Sequence, residues 1–310
     1  MEPLLLDSLS IVFSAVCLWF GSNWAVDKAA LLAARFNISE VVIGVTVIAF
    51  GTSLPEMATS VTSAITGHGD IALSNVVGSN IFNLGLVLGG AAVLSPLRVK
   101  QESFYRDGLV LFLICIFILA SGLDLYLGRV GGLMLLACLF CYIVIVLRQY
   151  GRQRRISPRS ELGPFRFLDG LFLFLGLAGV VLGGNLLVRG AVGIGEALGV
   201  EEWLLGLTVV ACGTSLPEMV VCLASILKKK QDILFGNLLG SDIFNFAGVL
   251  GIACLANPIA VSSSALLGLI MLVLSLMLLL FFMFTGWRLT KLEGVCLLCV
   301  SLARIVYFVW

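Results

Sequence analysis

The sequence predicts an all-α multi-span membrane protein, ten transmembrane helices arranged as two inverted five-helix repeats. Three observations carry that expectation: an extreme apolar composition, ten apolar stretches of spanning length, and a motif pair that recurs at one fixed shift. Of 310 residues, 60% are hydrophobic and only 12% charged, with a mean hydropathy of +1.12. A soluble domain is not built from so apolar a chain, so the lipid bilayer is its solvent and first partner. The formal net charge of +1 gives no electrostatic footprint for nucleic acid, and the informative charge is local.

A helix rises about 1.5 Å per residue and the hydrocarbon core is about 30 Å thick. Apolar stretches of matching length fall approximately at 9–31, 41–66, 71–95, 107–123, 130–147, 168–192, 203–227, 233–256, 262–285 and 292–310. The first is flanked by Glu2 and Asp7 and lacks a small-residue cleavage site, so it reads as a retained span, not a signal peptide. The one long polar link, 148–167, carries Arg148, Arg152, Arg154, Arg155, Arg159 and Arg166, which makes it cytoplasmic by the positive-inside rule. Counting spans from it puts Arg98, Lys100, Arg106, Lys228 to Lys230, Arg288 and Lys291 on the same side. Glu2, Asp7, Glu196, Glu201 and Glu202 then lie outside, and both termini are external. The expected location is the cell (inner) membrane. All nine cysteines fall in predicted spans, and the CxxC spacings at Cys138/Cys141 and Cys296/Cys299 read as small buried hydrophobes.

The repeat is explicit. IGVTVIAFGTSLPEM at 43–57 returns as LGLTVVACGTSLPEM at 205–219, a shift of 162 residues. The same shift carries Asp70 onto Asp232, Asn75 onto Asn237, and GSNIFN at 78–83 onto GSDIFN at 240–245. Without gaps, 23 of 46 positions between 44–89 and 206–251 are identical, which shared apolar composition does not produce. The first repeat is 1–147 with its motif region at 43–90, and the second is 168–310 with its motif region at 205–252. Each holds five spans, an odd number, so the second copy enters the membrane from the opposite side. Inverted repeats with interrupted apolar segments at matching places point to a secondary transporter with its site at the repeat interface.

Pro55 and Pro217 lack an N–H, and each ring clashes with the carbonyl four residues back, so the helix breaks at both GTSLPE stretches. Inside a bilayer a break is tolerated only against protein or a watery cavity. It leaves carbonyls around Ala49–Thr52 and Ala211–Thr214 available to a cation. Glu56 and Glu218 follow each proline near mid-span, where an ionised carboxylate costs about 2.5 to 3.5 kcal/mol on insertion scales. A bound cation offsets that cost, and one carboxylate from each half can converge on the pseudo-twofold axis. Thr52, Ser53 and Glu56, and likewise Thr214, Ser215 and Glu218, are spaced to share a helical face. Ser53-Leu-Pro-Glu56 also matches a capping box with proline in the first turn, and capping is compatible with ligation.

In the next span of each half, Ser79 with Asn83 and Ser241 with Asn245 put two oxygen-bearing side chains on one helical face. Gly78 and Gly240 remove bulk there, which reads as room for helices to approach. Helix packing alone also explains such a pair; four polar patches related by one shift favour an ion site. The donors are all oxygens, and the only histidine, His68, is in a link. That set suits hard cations such as Ca²⁺ and Na⁺, not zinc or copper. Cys212 stands where the first copy has Phe50 and reads as packing.

These two GTSLPE stretches and the GSNIFN/GSDIFN pair resemble the alpha repeats of the cation/calcium exchanger superfamily, above all the ten-helix prokaryotic sodium/calcium exchangers. The resemblance covers nearly the whole chain. It implies antiport of Na⁺ against Ca²⁺ by alternating access, with no cofactor and no enzymatic step, and it names no protein partner. It implies Glu56 and Glu218 as ligands of the central ion, with the carbonyls of Thr52 and Thr214. Ser53, Ser215, Ala49 and Ala211 are implied at flanking Na⁺ sites, and Ser79, Ser241, Asn83 and Asn245 are implied as further site residues, the two asparagines at the central positions. The first and sixth helices are implied as the pair that slides against the core. One departure stands out: Asp242, opposite Asn80 of the first copy, falls where the family more often has an amide or a small residue. It reads as a ligand, a proton carrier or a neutral wall residue, so Ca²⁺/H⁺ or K⁺-dependent antiport stays open beside Na⁺/Ca²⁺ exchange. An intramembrane hydrolase is a more remote reading, opposed by the lack of a histidine or an arginine cluster near the motifs. A channel is opposed by polar groups enclosed at a repeat interface.

Overall fold

A computed structural model describes residues 2–36, 38–123, 126–152, 167–198 and 213–309. The expected span at 203–227 is therefore described only from Gly213, and most of the 148–167 link and Ala211 lie outside the described residues. Among the described residues, seven helices are long and apolar enough to cross a membrane. A broken pair, Glu40–Thr52 with Leu54–Ile65, makes an eighth. Leu216–Leu227 is a shorter apolar helix, and Lys291–Val309 carries its own charges, Lys291, Glu293 and Arg304. The fold is thus an all-helical membrane architecture.

The expected stretches recur as helices with longer ends. Glu2–Phe36, Gly69–Leu94, Phe167–Ala197 and Gln231–Ala256 each extend past the apolar run that announced them. The expected 107–123 stretch also starts earlier, at Gln101, and takes in charged residues. Arg106 is not a link residue: it is buried in a π-helical turn, Phe104–Gly108. Its Nη2 donates to Asp107 Oδ2 at 2.6 Å, and Tyr142 Oη donates to Asp107 Oδ1 at 2.7 Å. Paired inside the protein, the arginine needs no water, so the helix runs through it.

The chain forms two compact units, each discontinuous in sequence and each taking residues from both sequence repeats. One unit combines Met1–Thr52 and Leu147–Asn237. Its spine is the packing of Glu2–Phe36 along Phe167–Ala197. Small residues permit it: a Cβ on Gly21 would sit 2.8 Å from the carbonyl oxygen of Gly176, so only glycine fits. The core around that seam includes Ala25, Val26, Ala29, Val180, Val221 and Ile233. At one end Asp169 takes both Lys28, at 2.9 Å, and Arg35, while Lys228 reaches Asp27 and Lys230 reaches Glu40, each at 2.6 Å.

The other unit combines Ser53–Val146 and Leu238–Trp310. Leu54–Ile65 packs on Gly69–Phe82 and on Leu250–Ala256. Two short antiparallel ribbons close its helix ends: β1 (Leu97–Arg98) pairs with β4 (Arg288–Leu289), and β2 (Tyr126–Leu127) pairs with β3 (Ile259–Ala260). The shift of 162 maps one ribbon onto the other, register included: Leu97 opposite Leu289 becomes Ile259 opposite Leu127. The same shift relates two glycine crossings, Gly89 against Gly294 and Gly132 against Gly251.

Candidate cation site

The helix breaks where the prolines require. After Glu40–Thr52, Ser53 takes φ −82°, ψ 7° and a new helix starts at Leu54, with Pro55 in its first turn. Ser215 repeats this with φ −91°, ψ 4° ahead of Leu216–Leu227. Both serines stand at the N-cap position, yet neither makes a side-chain capping hydrogen bond. Glu56 and Glu218 lie in the first turn of the restarted helices and are fully buried. There the positive end of the helix dipole favours a carboxylate.

In the unit that holds Ser53 and Glu56, the polar residues form a buried layer in an apolar bundle. Ser60, Ser79, Asn80, Asn83, Ser241, Asp242 and Asn245 are each at most 2% exposed. Asn83 donates from Nδ2 to Asp242 Oδ1 at 2.9 Å. Asn75 donates to Ser60 Oγ at 2.9 Å and to the carbonyl oxygen of Glu56 at 3.4 Å, bracing the restarted helix. Several oxygens here have no hydrogen-bond partner among the described residues: Ser79 Oγ, Asn83 Oδ1 and Asn245 Oδ1, with Asn245 Nδ2 beside them. Each such atom costs about 1 to 3 kcal/mol when left dry. A cation that takes the oxygens as ligands removes that cost. Both asparagines lie in π-helical turns, Asn83 at the start of Asn83–Val87 and Asn245 within Phe244–Val249. A π turn swings the side chain off the regular helical register, a device that recurs at functional sites.

In the other unit, Ala49, Thr52, Ser215 and Glu218 are buried, and Thr214 is half-buried with no hydrogen-bond partner for its Oγ1 among the described residues. Thr52 Oγ1 donates to Asn237 Oδ1 at 3.3 Å, and Asn237 donates to Cys222 Sγ at 3.6 Å. The shift of 162 carries Ser60 and Asn75 onto Cys222 and Asn237, so each restarted helix is tied by the same asparagine. Asn75 and Asn237 are matching positions to which the sequence alone gives no role; the available signal is an isolated asparagine recurring in two apolar spans. Gly78 does not serve the close approach expected of it, since a Cβ there would meet nothing within 4 Å. Close approach falls instead at Gly85 and Gly89, further along the same helix.

No group of three His, Cys, Asp or Glu side chains gathers among the described residues. Paired broken helices with buried glutamates and oxygen-rich neighbours define an ion-translocating membrane protein. The profile of the Sodium/calcium exchanger protein family matches residues 8–151 and 169–310, and the chain belongs to that family. It is 31% identical to the sodium/calcium exchanger MaX1 of Methanosarcina acetivorans, across 96% of this chain and 97% of that protein. It is 35% identical to the membrane protein MJ0091 of Methanocaldococcus jannaschii, over 77% of this chain and 78% of that one. In three dimensions it resembles the sodium-calcium exchanger NCX_Mj soaked with Na⁺, with TM-score 0.88, 31% identity, and 98% and 99% of the two chains covered.

Proposed function

We propose that the protein is a secondary active antiporter that exchanges Na⁺ for Ca²⁺ across a membrane by alternating access. The observation that carries this is the duplicated restart: a fully buried glutamate in the first turn after a proline break, present in both repeats. Glu56 and Glu218 supply the charge that the exchanged cations neutralise, helped by the carbonyls of Thr52 and Thr214. Ser53, Ser215, Ala49, Ala211, Ser79, Ser241, Asn83 and Asn245 complete the oxygen donors, and Asp242 stands beside Asn83 as a further buried carboxylate. Coupling is electrostatic. An empty pair of buried carboxylates is costly at mid-membrane, so an unloaded return is disfavoured while either Ca²⁺ or a Na⁺ load permits it.

Ten spans follow when Lys291–Val309 and the complete seventh helix join the eight, as repeats 1–147 and 168–310 around a cytoplasmic 148–167 link. Both termini are then external, and the cell (inner) membrane is the setting. The test is ⁴⁵Ca²⁺ uptake into Na⁺-loaded proteoliposomes, with the outward Na⁺ gradient, a pH gradient and external K⁺ imposed separately. Uptake that needs the Na⁺ gradient and disappears in Glu56→Gln is the expected result. Uptake driven by the pH gradient alone reassigns the coupling to H⁺, and uptake unchanged in Glu56→Gln refutes the site.

A further inference from the structure

The two halves of the polar layer are unequal at one pair of positions. Asn83 donates to Asp242 at 2.9 Å. The shift of 162 turns that pair into Asn245 and Asn80, and there the bond is absent. Asn80 instead donates to the carbonyl oxygen of Val76 at 2.6 Å, and neither amide atom of Asn245 has a hydrogen-bond partner among the described residues. All four side chains are fully buried.

A carboxylate only accepts hydrogen bonds, whereas an amide offers a donor end and an acceptor end. Asp242 can therefore hold Asn83 by its nitrogen alone, which turns the carbonyl oxygen away from Asp242. That oxygen accepts no hydrogen bond among the described residues. We propose that Asp242 is a positioning residue: it locks the Asn83 amide with its oxygen committed to the exchanged cation, while Asn245 keeps both faces of its amide available. This rests on the cation-site reading above and goes further by giving Asp242 an indirect role, neither ligand nor proton carrier. An amide free to flip spends part of its time with NH₂ toward the cation. Apparent affinity falls by the fraction of time the oxygen faces inward. One charge-assisted bond biases that choice by roughly tenfold.

The experiment is equilibrium ⁴⁵Ca²⁺ binding to purified, detergent-solubilised protein, alongside Na⁺-driven uptake KM and kcat in proteoliposomes. The variants are Asp242→Asn, Asn83→Ala, the two combined, and Asp242→Asn with Asn83→Asp. Asp242→Asn should weaken Ca²⁺ binding and raise KM about twofold, because the fraction of time the Asn83 oxygen faces the cation falls from about nine-tenths to about one-half, with a smaller change in kcat. In the Asn83→Ala background the same change should add nothing, because there is no amide left to orient. In the Asp242→Asn chain, Asn83→Asp should return binding to the wild-type level, since a carboxylate presents oxygen either way, and that recovery also shows that the Asp242→Asn chain folds. An equal loss in both backgrounds would show Asp242 acting on the cation itself and overturn the proposal, as would unaltered binding in Asp242→Asn. Wild-type binding without Na⁺-driven uptake would instead overturn the exchange reading, leaving the binding cycle to judge Asp242. Wild-type protein that binds no Ca²⁺ overturns both.

Discussion

Two single residues show how the repeat copies diverged under the same backbone. The turn after each restarted helix holds one left-handed residue, Gly67 with φ 85° in the first copy and Lys229 with φ 57° in the second. Glycine adopts this conformation freely, whereas an L side chain is strained there by about 1 to 2 kcal/mol. Lys229 is exposed, so little packing opposes a change. Lys229→Gly is therefore expected to stabilise the protein by about 1 kcal/mol, read as a raised unfolding midpoint in detergent; a lowered midpoint would refute the strain argument. The second residue is Cys222, which accepts from Asn237 at 3.6 Å where Ser60 accepts from Asn75 at 2.9 Å. Cys222→Ser should leave stability unchanged or improve it. Cys222→Ala strands a buried amide donor and should cost about 1 to 3 kcal/mol in chemical denaturation. Equal losses in the two variants would mean that Cys222 only fills space.

At the scale of elements, helix contacts depend on where glycines meet backbone. Gly44 and Gly236 face each other so closely that a Cβ on Gly236 would sit 2.7 Å from the carbonyl oxygen of Val41. Gly236→Val is expected to cost at least about 2 kcal/mol and to lower the yield of folded protein. Gly78→Ala, with nothing within 4 Å of the new methyl, should be neutral or stabilising by up to about 1 kcal/mol. Equal effects would refute the packing account. Helix existence was legible from the apolar runs, and the breaks were legible because proline cannot continue a helix. Which glycines carry the crossings was not, because that depends on the partner helix; Gly78 looked like a contact residue and is not one. The π turns at Asn83 and Asn245 were hidden too, since one extra residue in a helical turn leaves no mark on composition. Arg106 misled for a third reason: a charge ends an apolar run in sequence, but Asp107 and Tyr142 let it stay inside.

At the scale of the molecule, the sequence displayed the duplication and most of the polar layer, because charged and amide residues are conspicuous in so apolar a chain. It did not display the division into two units, which cuts across both repeats at Thr52 and at Asn237. Contiguity in sequence cannot show that, since each unit joins two segments that have a segment of the other unit between them. The burial of Glu56, Glu218 and Asp242 has a thermodynamic consequence for the whole fold. Carboxylates withdrawn from water oppose folding, and a cation that binds only the folded state offsets this by mass action. Ca²⁺ at about 100 times its dissociation constant should therefore stabilise the detergent-solubilised protein by about 2.7 kcal/mol, seen as a raised unfolding midpoint. Na⁺ alone should also stabilise. If both ions occupy overlapping oxygens, raising Na⁺ at constant Ca²⁺ should erode the Ca²⁺-specific part of the shift, so that the two effects are less than additive. Glu56→Gln should lose most of the Ca²⁺ shift while its ion-free stability stays equal or rises, because the variant no longer buries that charge. Additive shifts from the two ions would place them at independent sites, and competition through a shared load could not then be the basis of exchange.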